Sequence, residues 1–289
     1  MLAPSVDIYS MANVVKKNVL RRIRNISLLQ CVKECVMTSK CIAINYRKNW
    51  KSFAGVCADH NCATGNKGFT CIPAYLYSPR DCTGIPPRCG SGVYKIHPTP
   101  SIEFDVYCEM DTEDGGWTVI QRRLDGSTNF YRGWTAYEEG FGNFTHNFWL
   151  GNAKIHKIVT TGNYQLRVDL EDFEGNTAWT KYTKFNIGDA TTNYKLKVSG
   201  YFENSTAGDS LTYHNGGMFS TYDRDNDIFF LICAVRYEGA WWYQRCHQSN
   251  LNGAYLSGGK SSFADGVIWK TWKGHYYSLK STKLMIKKL

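Results

Sequence analysis

The chain has 289 residues, 11 cysteines and a formal net charge of +9, enough length for one large domain with its own core and a second, small one. All of the excess charge falls in the first 80 residues, where 12 Lys and Arg meet 3 Asp and Glu; the remainder carries 22 of each sign. A basic module joined to a neutral one points to heparin-like glycans or an anionic membrane surface ahead of nucleic acid, the cysteines point to an oxidising, secretory route, and no apolar run reaches the roughly 18 residues that a spanning helix needs.

The opening MLAPSVDIYSMANVV, with Asp7 and no long apolar stretch, does not read as a signal peptide. VVKKNVLRRIR (14–24) mixes apolar and basic residues in a way that suits either an edge strand or a short amphipathic helix. Ser27 and Gln30 form a capping-box pattern that predicts a helix from Leu28, with Cys31 and Cys35 one turn apart on one face. CIAINYRKN and GVCADHN then read as two short strands carrying Cys41 and Cys57. Six cysteines crowd between Cys31 and Cys71 without the Cx2C pairs or interleaved histidines of a zinc site. So small a unit needs its disulfides to fold. Cys62 and Cys71 lie in a Gly, Asn and Thr-rich stretch that ends in Pro73 and Pro79, a linker, which divides the chain into residues 1–80 and 81–289. Sequons at Asn25, Asn143 and Asn204 agree with secretion.

In the second part, alternation predicts strands over 117–123, 163–172 and 194–202, and helices over 136–141 and 149–155. That is an α+β domain, a central antiparallel sheet with flanking helices. From Gly208 onward Gly, Asn, Asp, Tyr and Trp dominate and long periodic segments are not evident. Glu171, Asp172 and Glu174 could serve glycosidase-type acid and base work, but read better as solvated strand-end charges or partners of nearby Lys and Arg. His97, His146, His156 and His214 lack zinc-ligand spacing and read as structural.

Residues 223–252 concentrate the chemistry. Asp223, Asp225 and Asp227 alternate, so two or three carboxylates can converge on one hard cation, calcium above all. An EF-hand is excluded, because Ile228 and Ala234 stand where that loop needs Gly and Glu. Cys233 and Cys246 suit a disulfide around a short loop rich in Tyr and Trp. Its rings either wall a cup for a sugar ring or an N-acetyl methyl group, or are core; Trp241 and Trp242 divide evenly between the two readings.

The motifs DRDND (223–227), GAWWYQRCH (239–247) and SNLNG (249–253), with SGVYKI, VYCEMDTEDGGWTVIQRR, FYRGW, FGNF and FWLG upstream and DGVIWKTWKG and YSLKSTKLMIKKL downstream, resemble fibrinogen C-terminal domains such as those of ficolins and tachylectins. The resemblance runs from Cys82 to Leu289. CVKEC, KCIAINY and VC (31–57) look like a PAN or apple module, which implies the pairs Cys31 with Cys57 and Cys35 with Cys41. The fibrinogen-like resemblance implies Cys82 with Cys108. It leaves Cys89 over, the candidate for a free or interchain thiol in a sequence with an odd number of cysteines.

The same resemblance implies calcium held by the side chains of Asp225 and Asp227 and the carbonyls of Phe229 and Leu231. IFFLI (228–232) departs from the polar, glycine-bearing loops of relatives and predicts weaker calcium binding. The acetyl cup falls on Tyr237, Arg245, Cys246, His247, Phe263, Ala264 and His275, with a cis peptide before Cys246. Phe263 replaces a common Tyr, and His275 a common Tyr or Trp. His275 predicts either looser acetyl binding or a pH response near 6.5, unless Tyr276 or Tyr277 takes its place in the wall. The function implied is a secreted, calcium-dependent lectin for N-acetylglucosamine or N-acetylgalactosamine type glycans; a ligand for a cell-surface receptor, as in angiopoietins, is the alternative. A hydrolase is disfavoured, since GxSxG and HExxH are both absent. With no collagen repeat or heptads, homo-oligomers would rely on the N-terminal module or Cys89.

Overall fold

A computed structural model describes residues 79–259 and 262–289, together with the backbone of five strands nearer the N-terminus. Those five, β1 (Val6–Ile8), β2 (Arg21–Ile23), β3 (Ile44–Lys48), β4 (Lys51–Ala58) and β5 (Thr70–Pro73), form an antiparallel sheet in the order β2-β1-β3-β4-β5. The helix expected from Leu28, the pairs Cys31 with Cys57 and Cys35 with Cys41, and Asn25 fall outside the described residues.

The large domain is built on a nine-stranded antiparallel sheet. Its strands are β6 (Gly92–Thr99), β7 (Ile102–Glu109), β8 (Trp117–Arg123), β9 (Phe141–Gly142), β10 (Phe148–Trp149), β11 (Tyr164–Glu171), β12 (Thr177–Ile187), β13 (Leu196–Tyr201) and, after the short β14 (Ser249–Asn250), β15 (Gly258–Gly259), β16 (Ile268–Trp269) and β17 (Tyr277–Ser278), the C-terminal β18 (Ser281–Lys288). The order is β13-β12-β11-β18-β8-β10-β9, with the β6-β7 hairpin sharing the β8 edge. Alternation explains β11, where Tyr164, Leu166, Val168 and Leu170 face inward and the residues between them are half-exposed. In β8 every residue is buried, because strands flank it on both edges and both of its faces are covered.

Two helices flank the sheet: α1 (Trp134–Glu139) and α2 (Asn152–Val159), each a few residues from its sequence-predicted position. α2 is tied to β12 by His156 Nδ1 donating to the Ile187 carbonyl at 3.0 Å and Asn186 Nδ2 donating to the Val159 carbonyl at 3.2 Å. Two short turns, α3 (Cys233–Arg236) and α4 (Lys270–Lys273), belong to the loop-built terminal region. Cys82 is joined to Cys108. The reading of Cys89 as a free or interchain thiol is corrected: Cys89 is buried and disulfide-bonded, its partner lying outside the described residues.

The strand-end carboxylates divide. Glu171 meets Lys280 Nζ at 2.6 Å and Glu174 accepts from Tyr277 Oη at 2.6 Å. Asp172 is the partner of a nearby lysine and is not solvated: it is fully buried and meets Lys273 Nζ at 2.6 Å. Despite that burial, the Lys273 ammonium and the Asn176 side chain and amide pull its carboxyl down to about 2.

Candidate functional site

The terminal region is organised by His214, which ends a tight turn at Thr212–His214 and is fully buried. Its Nδ1 donates to the Trp242 carbonyl at 2.8 Å, and its Nε2 accepts from the amides of Gln248 and Ser249, both at 3.2 Å. A ring that donates at one nitrogen and accepts at the other is neutral, and burial lowers its pKa to about 4. The chain on either side of Cys246 is thereby pinned to the same imidazole. The disulfide itself forms, closing a separation of 13 residues, which the loop-entropy model values at about 3 kcal/mol. Trp241 and Trp242 are both core. Downstream, the SNLNG turn lies so close to its neighbour that a Cβ on Gly253 would sit 2.2 Å from the Gly266 carbonyl oxygen, so only glycine fits there.

Against this frame lies a cup of about 250 Å³. All seven residues expected of the acetyl site line it, and Tyr213, Gln248 and Lys270 line it as well. The peptide between Arg245 and Cys246 is cis. Among the described residues the Cys246 amide donates to no acceptor, so it can serve a ligand carbonyl; the preceding amide, of Arg245, donates to Tyr213 Oη at 3.2 Å. Tyr237 meets His247 edge-on with centroids 4.7 Å apart, and Phe263 leans on His275 at 5.0 Å. Ala264 forms the floor: it is buried, holds a φ of +67° and donates its amide to the His275 carbonyl at 2.9 Å. His275 fills the wall itself, since Tyr276 packs outside Phe263 at 5.3 Å and Tyr277 bonds Glu174. Burial first, then the Lys270 ammonium, lowers the His275 pKa, which keeps the imidazole neutral at pH 7.

The acidic run resolves into two roles. Asp223 ties two segments of the fold together: its Oδ1 accepts from the Trp134 amide at 2.9 Å, at the start of α1, and from Thr221 Oγ1 at 2.6 Å. Asp225 and Asp227 lie together, with the Asp227 amide donating to Asp225 Oδ1 at 3.1 Å. Asp227 organises the following loop by accepting from the amides of Phe229 (2.8 Å) and Cys233 (2.9 Å). Burial raises its carboxyl to about 6, against the pull of those two amides, and the neighbouring Asp225 charge adds to the rise. Among the described residues the Phe229 and Leu231 carbonyls accept no hydrogen bond, and no third His, Cys, Asp or Glu joins the pair. Two neighbouring carboxylates and two unclaimed carbonyls are the kind of oxygen donors that a hard divalent cation takes.

The loop that carries those carbonyls is apolar and outward-facing. Ile228 is 62 % exposed and Phe230 83 %, with Leu231, Ile232 and Val235 exposed beside them. A larger groove of about 430 Å³ crosses the sheet between Glu109, Arg167, Trp179 and Lys283. Its charges are spent on one another, Arg167 with Asp169 at 2.7 Å and Lys283 with Glu109 at 2.8 Å, so the cup is the better ligand site. Asn143 and Asn204 are exposed. Sequence reasoning missed Tyr213, Gln248 and Lys270, which stand in different loops and share no motif.

Comparison with known proteins bears on the fold. The family of the fibrinogen beta and gamma chains, by their globular domain at the C-terminus, matches residues 78–289. Ryncolin-4 of Cerberus rynchops is 46% identical over 219 residues, which are 75% of this chain and 62% of that protein, so the match spans less than two thirds of the ryncolin. Microfibril-associated glycoprotein 4 of Homo sapiens is 47% identical over 221 residues, covering 74% of this chain and 86% of its own. Among solved structures, the fibrinogen-like globe domain of human ANGPTL2 superposes with a TM-score of 0.69 at 41% identity, over 73% of this chain and 99% of that one. A lamprey fibrin D-dimer bound to the peptide Gly-His-Arg-Pro-amide gives 0.68 at 37%, over 73% and 74%.

Proposed function

The chain belongs to the family of fibrinogen C-terminal globular domains, and from that premise we propose that it is an extracellular lectin that recognises N-acetyl groups on glycans. The observation that carries the reading is the cup: an apolar wall and floor from Tyr237, Phe263 and Ala264 beside an uncommitted Cys246 amide. A methyl group needs the first and an acetyl carbonyl needs the second. The site offers positioned donors and apolar contacts, which suit reversible binding. Disulfides and exposed sequons support secretion, and no helix among the described residues is long and apolar enough to cross a membrane.

N-acetylglucosamine and free acetate should compete for one site, and glucose should not. Ala264→Leu should abolish that binding while the circular dichroism of the domain is retained, because a larger side chain fills the floor. Equal competition by glucose, or normal binding by Ala264→Leu, would overturn the reading.

Calcium is proposed at Asp225 and Asp227 with the carbonyls of Phe229 and Leu231; bound there it would supply charge neutralisation between the two carboxylates. Because Asp227 also holds the Phe229 and Cys233 amides, the cleaner variant is Asp225→Ala. The melting temperature of the native domain should rise with calcium as ligand linkage requires, and that of Asp225→Ala should not respond. A native melting temperature indifferent to chelator would exclude the site.

A second reading, a ligand for a cell-surface protein, is favoured by the apolar loop around Ile228 and Phe230, since exposed clusters of this kind mark protein contacts. Tight binding to one receptor without sugar competition would select it.

A further inference from the structure

Two of the sequons carry a phenylalanine two residues before the asparagine: FGNFT, with Phe141 and Asn143, and FENST, with Phe202 and Asn204. The structure separates them. Phe141 packs against the core, meeting Phe130 and Tyr137 edge-on at 5.0 and 5.1 Å, with the Arg132 guanidinium over its ring at 4.7 Å. Asn143 is engaged as well, its Oδ1 accepting from the Thr145 amide at 2.9 Å and from Thr145 Oγ1 at 2.8 Å. Phe202, by contrast, is 41 % exposed, and among the described residues the Asn204 side chain makes no hydrogen bond.

The segment that holds Asn204 is a tight turn fastened to β12. The Ser205 amide donates to the Phe202 carbonyl at 2.9 Å, and neither central residue, Glu203 or Asn204, has a positive φ, as in a type I turn. The Phe202 and Ala207 amides donate to the carbonyls of Lys181 and Trp179, both at 3.0 Å. In return the Trp179 and Lys181 amides donate to Thr206 Oγ1 at 3.0 Å and Ser205 Oγ at 3.2 Å. The Phe202 ring is set by stacking on Trp179, with centroids 6.1 Å apart and planes 28° from parallel. Such a turn keeps its ends within about 7 Å, so a sugar joined to Asn204 Nδ2 has the Phe202 ring within reach. A lone exposed apolar residue is ordinary on a protein surface; a ring held rigidly beside an unengaged glycosylation acceptor is a platform.

We propose that Asn204 is glycosylated and that the first N-acetylglucosamine of its glycan packs on the Phe202 ring, which makes the sugar a structural part of the fold. This rests on the extracellular part of the reading above and is independent of the acetyl cup. In the transfer, Asn204 Nδ2 displaces a lipid diphosphate from the anomeric carbon of an oligosaccharide donor. An N–C bond forms, the C–O bond to phosphate breaks with its electron pair going to the leaving group, and one Nδ2 proton passes to a base. The CH groups of the sugar ring then meet the electron-rich face of the phenylalanine, while the hydroxyls stay in water. A glycan at Asn143 finds no open ring beside it, because Phe141 is already covered.

The test uses the full chain secreted from animal cells behind a signal peptide, with occupancy of Asn204 read by peptide mass spectrometry. The native glycoprotein should melt about 2–4 °C above Asn204→Gln, the shift that one aromatic stacking contact gives in a domain of this size. In a Phe202→Leu background, where the sequon is intact, the same substitution should cost less than half as much, and this comparison removes any effect of glutamine itself. Trimming of the glycan to its first N-acetylglucosamine should keep the shift, since only that sugar meets the ring. Asn204 found bare in the secreted protein overturns the proposal and leaves the lectin reading untouched. So does a native melting temperature equal to that of Asn204→Gln, or an equal loss in the two backgrounds.

Discussion

Replacing Trp242 by alanine is expected to cost the domain about 3–5 kcal/mol, as the loss of a fully buried large aromatic does. Trp242 touches Phe219, Trp241, Trp149 and Phe185 at centroid distances of 5.3, 5.0, 6.1 and 6.5 Å, and its Nε1 donates to the Tyr194 carbonyl at 2.8 Å. Those partners come from the sheet and from the loop region alike, so the cavity would open along the seam between them. Trp242→Phe keeps most of the packing and loses the Nε1 bond, and should cost about 1–2 kcal/mol. Urea denaturation of the three proteins checks the ranking; a loss below about 1 kcal/mol for the alanine variant would mean that this seam does not hold the terminal region in place.

A second large effect is expected from pH. His214 titrates near 4 in the fold and near 6.5 when unfolded. Between those values the unfolded chain takes up a proton that the folded one refuses, so stability is complete above about pH 6.5 and declines as pH falls toward 4. The difference amounts to about 3 kcal/mol. Asp227, raised to about 6, acts in the opposite sense over much of the same window, because its protonation favours the fold as pH falls through 6. The depressed carboxylates, Asp172 among them, give up their stabilisation only below about pH 4.5. The informative quantity is therefore the stability of the native domain minus that of His214→Gln, in which the other groups cancel. That difference should shrink by up to about 3 kcal/mol from pH 7 to pH 4, and equal slopes would refute the assignment. If the variant fails to fold, the His214 ring resonance of the native protein supplies the same answer, by titrating near 4 or near 6.5.

Of the strands read from the sequence, 163–172 and 194–202 have one buried face, and 117–123 is buried throughout. Residues 163–172 alternate because one side of β11 meets the core and the other does not. β18 escaped notice because Leu284, Met285 and Ile286 are consecutive and all buried, with a register shift between Leu284 and Met285; burial on both faces and a bulge erase the period of two. The β6-β7 hairpin escaped for a related reason, since Pro98 and a register shift between Ile96 and Thr99 interrupt its pattern. In the loop region periodicity says nothing. Adjacent Trp241 and Trp242 are both inside, which no regular strand with one exposed face would allow. The seven cup residues are legible through the family resemblance; Lys270, although it lies within DGVIWKTWKG, shares with Tyr213 and Gln248 the lack of any spacing signal that would assign it to the cup.

The place of β18 bears on how the sheet closes. Ser281–Lys288 pairs with β11 on one side and β8 on the other, so the two halves of the sheet are joined only through this segment. Without it, β8 with its hairpin and the β11–β13 meander have facing edges and nothing between them. A variant truncated before residue 281 should consequently lose protection from protease in both halves of the sheet together.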